Sequence, residues 1–191
     1  MNRPAVVTGP GERRRQLGLA FAWGLAESTV FFIVPDVFIT RLALRDYRRA
    51  LAACVAATAG ALLGGTILWI AARNGAARHL LDFFTLLPGI NSRLIAQTGQ
   101  ALYEHGLPAF FTGAVSGRPY KLYAVHAGTQ GIPLAMFLLV SLAARLARFA
   151  ATATGAWLAG RALRARTETF RLRLHLAAWT VFYLIYFAIM R

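Results

Sequence analysis

Six ionisable side chains stand inside runs of otherwise apolar residues: Glu27 and Asp36 within 17–39, Arg118 and Lys121 within 107–130, and Arg145 and Arg148 within 133–160. A charge at the centre of a membrane-spanning helix costs about 2.5–3.5 kcal/mol on insertion scales, so such residues persist where they meet one another or a ligand. Arg118 and Lys121 suit a phosphate-like anion, the arginine through its planar fork and the lysine as a point charge. Glu27 is the candidate for carrying a proton. Asp36, beside Pro35, either joins that site or caps backbone N–H groups freed by the proline. Arg145 and Arg148 are three residues apart and share a helical face; they either complete an anion pocket, balance the two acids or snorkel towards an interface. The set as a whole reads as a polar cavity for an anionic headgroup or for proton coupling, or else as ion pairs that only let broken helices pack.

Enzymatic signals are sparse. There is no phosphate-binding glycine loop, no His-Glu-x-x-His pair, and Cys54, the only cysteine, has no base partner and excludes an intrachain disulfide. Ser116, Arg118 and His126 would suit a lipid phosphatase, but a second acidic orienter at suitable spacing is missing. His126 reads as a packing or hydrogen-bonding residue, with a proton relay as the alternative. The expectation is a protein without enzymatic activity, cofactor or metal.

The elements that position these groups belong to a membrane protein. Of 191 residues, 58% are hydrophobic, against roughly 45–50% in soluble chains, and the mean hydropathy is +0.52. The net charge of +14 resides on basic residues that gather between apolar runs, which suits membrane anchoring and argues against nucleic acid. Arginine supplies every basic residue except Lys121, and alanine is abundant, the composition of a GC-rich bacterial genome. A bacterial inner (plasma) membrane with a cytoplasmic N-terminus is therefore expected.

Charge topology sets the expected path. If 17–39 crossed fully, Arg13–Arg15 and the cluster Arg41, Arg45, Arg48 and Arg49 would lie on opposite faces, against the tendency of basic residues to stay cytoplasmic. A re-entrant hairpin with its tip at Val34-Pro35 removes the conflict. The expected organisation is then a basic cytoplasmic tail over 1–16, the hairpin 17–39, a span 50–72, interfacial helices within 79–105, a second hairpin 107–130 with Pro119 at its tip, and a span 133–160. A C-terminal transmembrane helix over 174–190, about 25 Å long at 1.5 Å per residue, completes it. Thirteen of the 21 basic residues fall inside, four outside and four within the membrane. The result is an all-α integral membrane protein with two oppositely oriented re-entrant hairpins, about three transmembrane helices and an inverted-repeat outline. Glu27 and Asp36 would face Arg118 and Lys121 if the tips meet near the midplane.

Local signals add detail. The stretch 92–105 reads as an amphipathic helix with Asn91 or Ser92 as cap and Gly106 as stop. Ala56, Gly60 and Gly64, four apart, form a small-residue stripe for close helix contact, within the chain or in a homo-oligomer. Trp23, Trp69, Trp157, Trp179, Tyr183 and Tyr186 fit membrane boundaries or helix packing.

Several of these passages resemble, in order, the DedA family, also called VTT or SNARE-associated membrane proteins, and its small YqaA-like bacterial branch. Ala26-Glu27 followed by Val34-Pro35-Asp36 is similar to the family's acidic residue and proline-containing first hairpin. Gly65-Thr66-Ile67-Leu68-Trp69 leading to Arg73-Asn74-Gly75 is similar to the pattern that follows it. Tyr103-Glu104-His105-Gly106, then Arg118-Pro119-Tyr120-Lys121, Ala127-Gly128, and Ser141 through Arg145, Arg148 and Phe149 resemble the YqaA-type ending. The resemblance covers roughly residues 17–165, and it departs at Thr66, where the family commonly has aspartate, and at Lys121, where it commonly has arginine. It implies two opposed hairpins and movement of lipids between leaflets, with polyprenyl phosphate or phospholipids as substrates. The expected function is thus a lipid or lipid-phosphate translocase with membrane lipids as partners; a proton-coupled small-solute transporter and a non-transporting assembly factor are the alternatives.

Overall fold

The computed structural model describes residues 9–189, and every regular element among them is helical. The first helix, α1 (Pro10–Thr29), already includes residues 10–16, so that part of the expected basic tail is helical; residues 1–8 lie outside the described region. Gln16 bonding back to Glu12 at 3.2 Å, one turn apart, fits this extension. After a break at 30–35 come α2 (Asp36–Ala43) and α3 (Tyr47–Ala71), the latter capped by Asp46, which accepts from the Arg49 N–H at 3.1 Å. A kink at Ala72–Ala76, where Gly75 takes φ 93°, leads into α4 (Ala77–Phe84). The helix α5 (Ser92–His105) starts at Asn91, whose side chain accepts from the Leu94 N–H at 2.8 Å, and stops at Gly106 with φ 60°.

The second broken segment comprises α6 (Ala109–Ser116), a turn at Gly117 with φ 78°, and α7 (Tyr120–Thr129). Two long helices follow, α8 (Leu134–Ala162) and α9 (Glu168–Ile189). Among the described residues three helices are long and apolar enough to cross a membrane: α3 with its continuation to Phe84, α8, and α9. Each lies along one of the expected spans, but the first runs past residue 72 to Phe84, into the stretch expected to be interfacial, and α9 begins before residue 174. Thr167 accepts from the Phe170 N–H at 3.2 Å and Glu168 pairs with Arg45, giving 22 helical residues, about 33 Å. Residue 190 lies outside the described region.

Packing is organised around α3. A Cβ at Gly24 would collide with the Ala57 carbonyl, one at Gly60 with the Phe21 carbonyl, and one at Gly64 with the Ser28 hydroxyl, so α1 and α3 touch backbone to backbone. The small-residue stripe therefore serves an intrachain contact. These pairs also show that α1 and α3 run parallel, and that the break at 30–35 lies partway along α3. On the other side, Gly65 lies under the Tyr120 ring and Gly128 over the Trp69 carbonyl, at 2.6 Å from an added Cβ, so α7 is parallel to α3 as well. The antiparallel α8 seats Phe149 and Ala153 among Ala50, Ala53 and Cys54, with Tyr47 bonded to Thr154 at 2.9 Å and its ring tilted against Trp157 at 5.0 Å between centroids. The first broken segment thus returns to the N-terminal end of α3, and the second reaches its C-terminal end, where the Ile132 carbonyl accepts from Trp69 at 3.0 Å.

Candidate functional site

A broken helix inside an apolar bundle leaves peptide groups that need partners, because no water competes for them in hydrocarbon. At the first break three side chains from three elements supply them. The Phe31 carbonyl accepts from the Lys121 ammonium at 2.7 Å, and the Ile33 carbonyl from the Trp23 indole at 2.9 Å; the Val34 N–H donates to the Tyr183 hydroxyl at 2.9 Å. The second break is tighter: Gly117 adopts a left-handed conformation, the Arg118 N–H returns to the Gly113 carbonyl at 3.1 Å, and Pro119 has no N–H to satisfy.

The carboxylates find their partners on α8. Glu27 accepts from Arg145 at 2.7 Å with both side chains less than a tenth exposed, and Asp36 accepts from Arg148 at 2.6 Å and from the Thr152 hydroxyl at 2.9 Å. This corrects the expected pairing of the acids with Arg118 and Lys121. The continuous α8 runs past the break and α2, and its two arginines, on successive turns, reach both acids, whereas Lys121 is held by the Phe31 carbonyl. Nor does Asp36 cap backbone, since its carboxylate is taken by Arg148 and Thr152. Arg145 is covered by aromatic rings, Tyr120 at 4.1 Å and Phe149 at 5.6 Å from its guanidinium carbon. Its Nε and Nη1 have no hydrogen-bond partner among the described residues, and the ring faces supply attraction in their place.

All six ionisable residues singled out from sequence border one cavity of about 870 Å³. Pro119 borders it too; Pro35 does not, and instead starts α2 by accepting from the Phe38 and Ile39 N–H groups at 3.0 Å. Four cations therefore face two carboxylates, both already matched. Arg118, half-buried, makes no ion pair among the described residues. Apart from Ser116, Ser141 and Thr152, the remaining wall is mainly apolar, with Phe31, Phe32, Phe110 and Phe111 on the broken segments and Trp179, Tyr183 and Tyr186 on α9. His126 is elsewhere, bonded to the Ile95 carbonyl at 3.0 Å, so Ser116, Arg118 and His126 do not converge. No group of three or more metal-ligating side chains comes together among the described residues.

Thr152, Tyr120 and the α9 aromatics were not singled out as site residues, although each carried a signal. Thr152 follows Arg148 by one turn, and Trp179, Tyr183 and Tyr186 recur at helical spacing on one face. No protein-family model, curated protein or solved structure matches the chain, so the chemistry of this cavity is the ground for a functional reading.

Proposed function

We propose that this protein is a membrane transporter of the kind its resemblance to DedA proteins implies, moving a lipid or lipid phosphate such as a polyprenyl phosphate or phospholipid between leaflets. The observation that carries the reading is the charge of the cavity: Arg118, Lys121, Arg145 and Arg148 exceed Glu27 and Asp36 by two positive charges inside a mainly apolar wall. A phosphate monoester, with about −1.5 to −2 charge near pH 7, balances that excess, and a hydrocarbon tail suits the wall. A small polar solute would leave the phenylalanines without a role.

In this reading the two broken segments are re-entrant hairpins inserted from opposite faces, and the halves form an inverted repeat. The parallel course of α1 and α3 supports it, because it returns Arg41–Arg49 to the end where Arg13–Arg15 begin. The Arg45–Glu168 ion pair brings the basic stretch 161–173 to the same end. That end is assigned to the cytoplasm of a bacterial inner membrane. A reporter fused after Arg49 is expected to read cytoplasmic, and an external signal would sink the topology.

Transport is tested in proteoliposomes with labelled polyprenyl phosphate. Arg118→Ala, which disturbs no ion pair among the described residues, is expected to lower flux by about tenfold or more while elution and thermal stability stay normal. Equal flux from wild type and variant would remove the proposed mechanism. A solute flux driven by a pH gradient and abolished by Glu27→Gln would favour the proton-coupled alternative.

A further inference from the structure

We infer that the groove between α8 and α9 is the lateral portal and seat for the hydrocarbon tail of the anionic lipid, a conclusion that rests on the cavity taking such a lipid. The helix α9 walls the cavity with Trp179, Phe182, Tyr183, Ile185, Tyr186 and Ile189, yet none of its residues is buried. Its hydrogen bonds and its ion pair run along one edge, while Tyr186 packs on Gly89 and Gly117 at the far end. His175 and Trp179 bond Thr40 at 2.8 and 3.1 Å, Tyr183 accepts from Val34, and Glu168 pairs with Arg45, all on the first broken segment or just beyond α2. No hydrogen bond or ion pair joins α9 to α8 among the described residues.

Across that unfastened edge, α8 presents alanines. Ala144, Ala147 and Ala151 border the cavity, and Ala147 and Ala151 remain exposed, so small side chains keep about 10 Å of helix surface clear along a cavity that Phe182 and Ile185 of α9 also border. An ordinary lipid-facing surface has no inner end. This groove leads to Arg148, which shares the alanine face, and onward to the other three cations. Charge complementarity thus selects the occupant: a tail lying in the groove carries a headgroup that must be anionic, since a zwitterionic one would place a further cation among the arginines. Sideways access also lets the headgroup reach the cavity while its tail stays in hydrocarbon throughout.

The probe is phosphatidic acid with a photoreactive diazirine in its acyl tail, in vesicles holding the full chain. Labelled peptides are expected to include residues 144–152. Ala147→Phe, and on the next turn Ala151→Phe, fill the groove and are expected to cut that labelling by about tenfold or more, whereas Ala143→Phe, exposed but outside the cavity, leaves it unchanged. Inorganic phosphate should protect Ala147→Phe from heat as well as it protects wild type, which shows the headgroup end intact. Absence of label from 144–152 in wild type, or its persistence in both phenylalanine variants, overturns the portal. Normal lipid flux with label elsewhere leaves transport standing and the portal lost. Label at 144–152 that the phenylalanines remove, without flux in wild type, confirms the portal and removes the transport reading.

Discussion

Glu27 and Arg145, 118 positions apart in sequence, form a buried ion pair of 2.7 Å that joins α1 to α8 beside the first break. Removing one member strands the other charge in a low-dielectric interior, which costs about 3–5 kcal/mol, whereas removing both costs far less. Arg145→Met alone is therefore expected to lower the Tm in detergent strongly, and Glu27→Gln/Arg145→Met to recover most of the loss. A double variant no better than the single would show that Arg145 is held by its aromatic neighbours rather than by Glu27.

What sequence could show here divides by range. The helix α5 was legible to the residue because its signals are local: Asn91 caps, Gly106 stops, and nothing distant is needed. The breaks were legible for the same reason, since Pro35 and the Gly117–Pro119 turn interrupt helices wherever they stand. The identity of the charged residues was legible because charges within apolar runs are costly. Their partners stayed open between the second broken segment and the two arginines of α8. Whether Glu27 meets Arg118 or Arg145 depends on how α8 is threaded past the break, and spacing along the chain carries no such information. The contribution of α9 was hidden likewise, because the Val34–Tyr183 bond spans 149 positions.

The α1–α3 contact gives a second prediction. Gly60→Ala places a methyl group against the Phe21 backbone, which cannot move without shifting α1, so a marked loss of thermal stability is expected. Gly155 in α8 has open space around its Cβ position, and Gly155→Ala is expected to stabilise by up to about 1 kcal/mol through helix propensity. Thermal unfolding monitored by size-exclusion chromatography distinguishes the two, and like-signed shifts would refute the backbone contact.

The indole of Trp23 and the hydroxyl of Tyr183 satisfy neighbouring peptide groups of the first break, so each substitution should be felt locally. Trp23→Phe removes the donor to the Ile33 carbonyl, and Tyr183→Phe the acceptor for Val34 N–H, at about 1–3 kcal/mol each where water is absent. Hydrogen exchange is the measurement. Tyr183→Phe is expected to speed exchange at Val34 while amides in α5, away from the first break, keep their protection. Unchanged exchange at Val34 would mean that another acceptor replaces the hydroxyl.

Lys121 borders the cavity, yet its ammonium is bonded to the Phe31 carbonyl, which raises the question of whether it serves the break or the ligand. An ammonium has three donors, and one carbonyl uses only one of them. The arrangement therefore allows both roles at once: Lys121 holds the first break through the Phe31 carbonyl and presents positive charge to the cavity. Two measurements separate the roles. Lys121→Met leaves the Phe31 carbonyl without its donor and is expected to lower the Tm in the absence of any anion. It should also shrink the further stabilisation that added phosphate confers, because that stabilisation grows as the logarithm of one plus the ligand concentration over its Kd, and a weaker site has the larger Kd. A lysine that served only the break would lower the Tm by the same amount with and without phosphate. One that served only the ligand would leave the anion-free Tm unchanged. Loss of both, with Arg118→Ala reducing only the phosphate-dependent part, is the pattern expected of a residue that couples the shape of the first break to occupancy of the anion site.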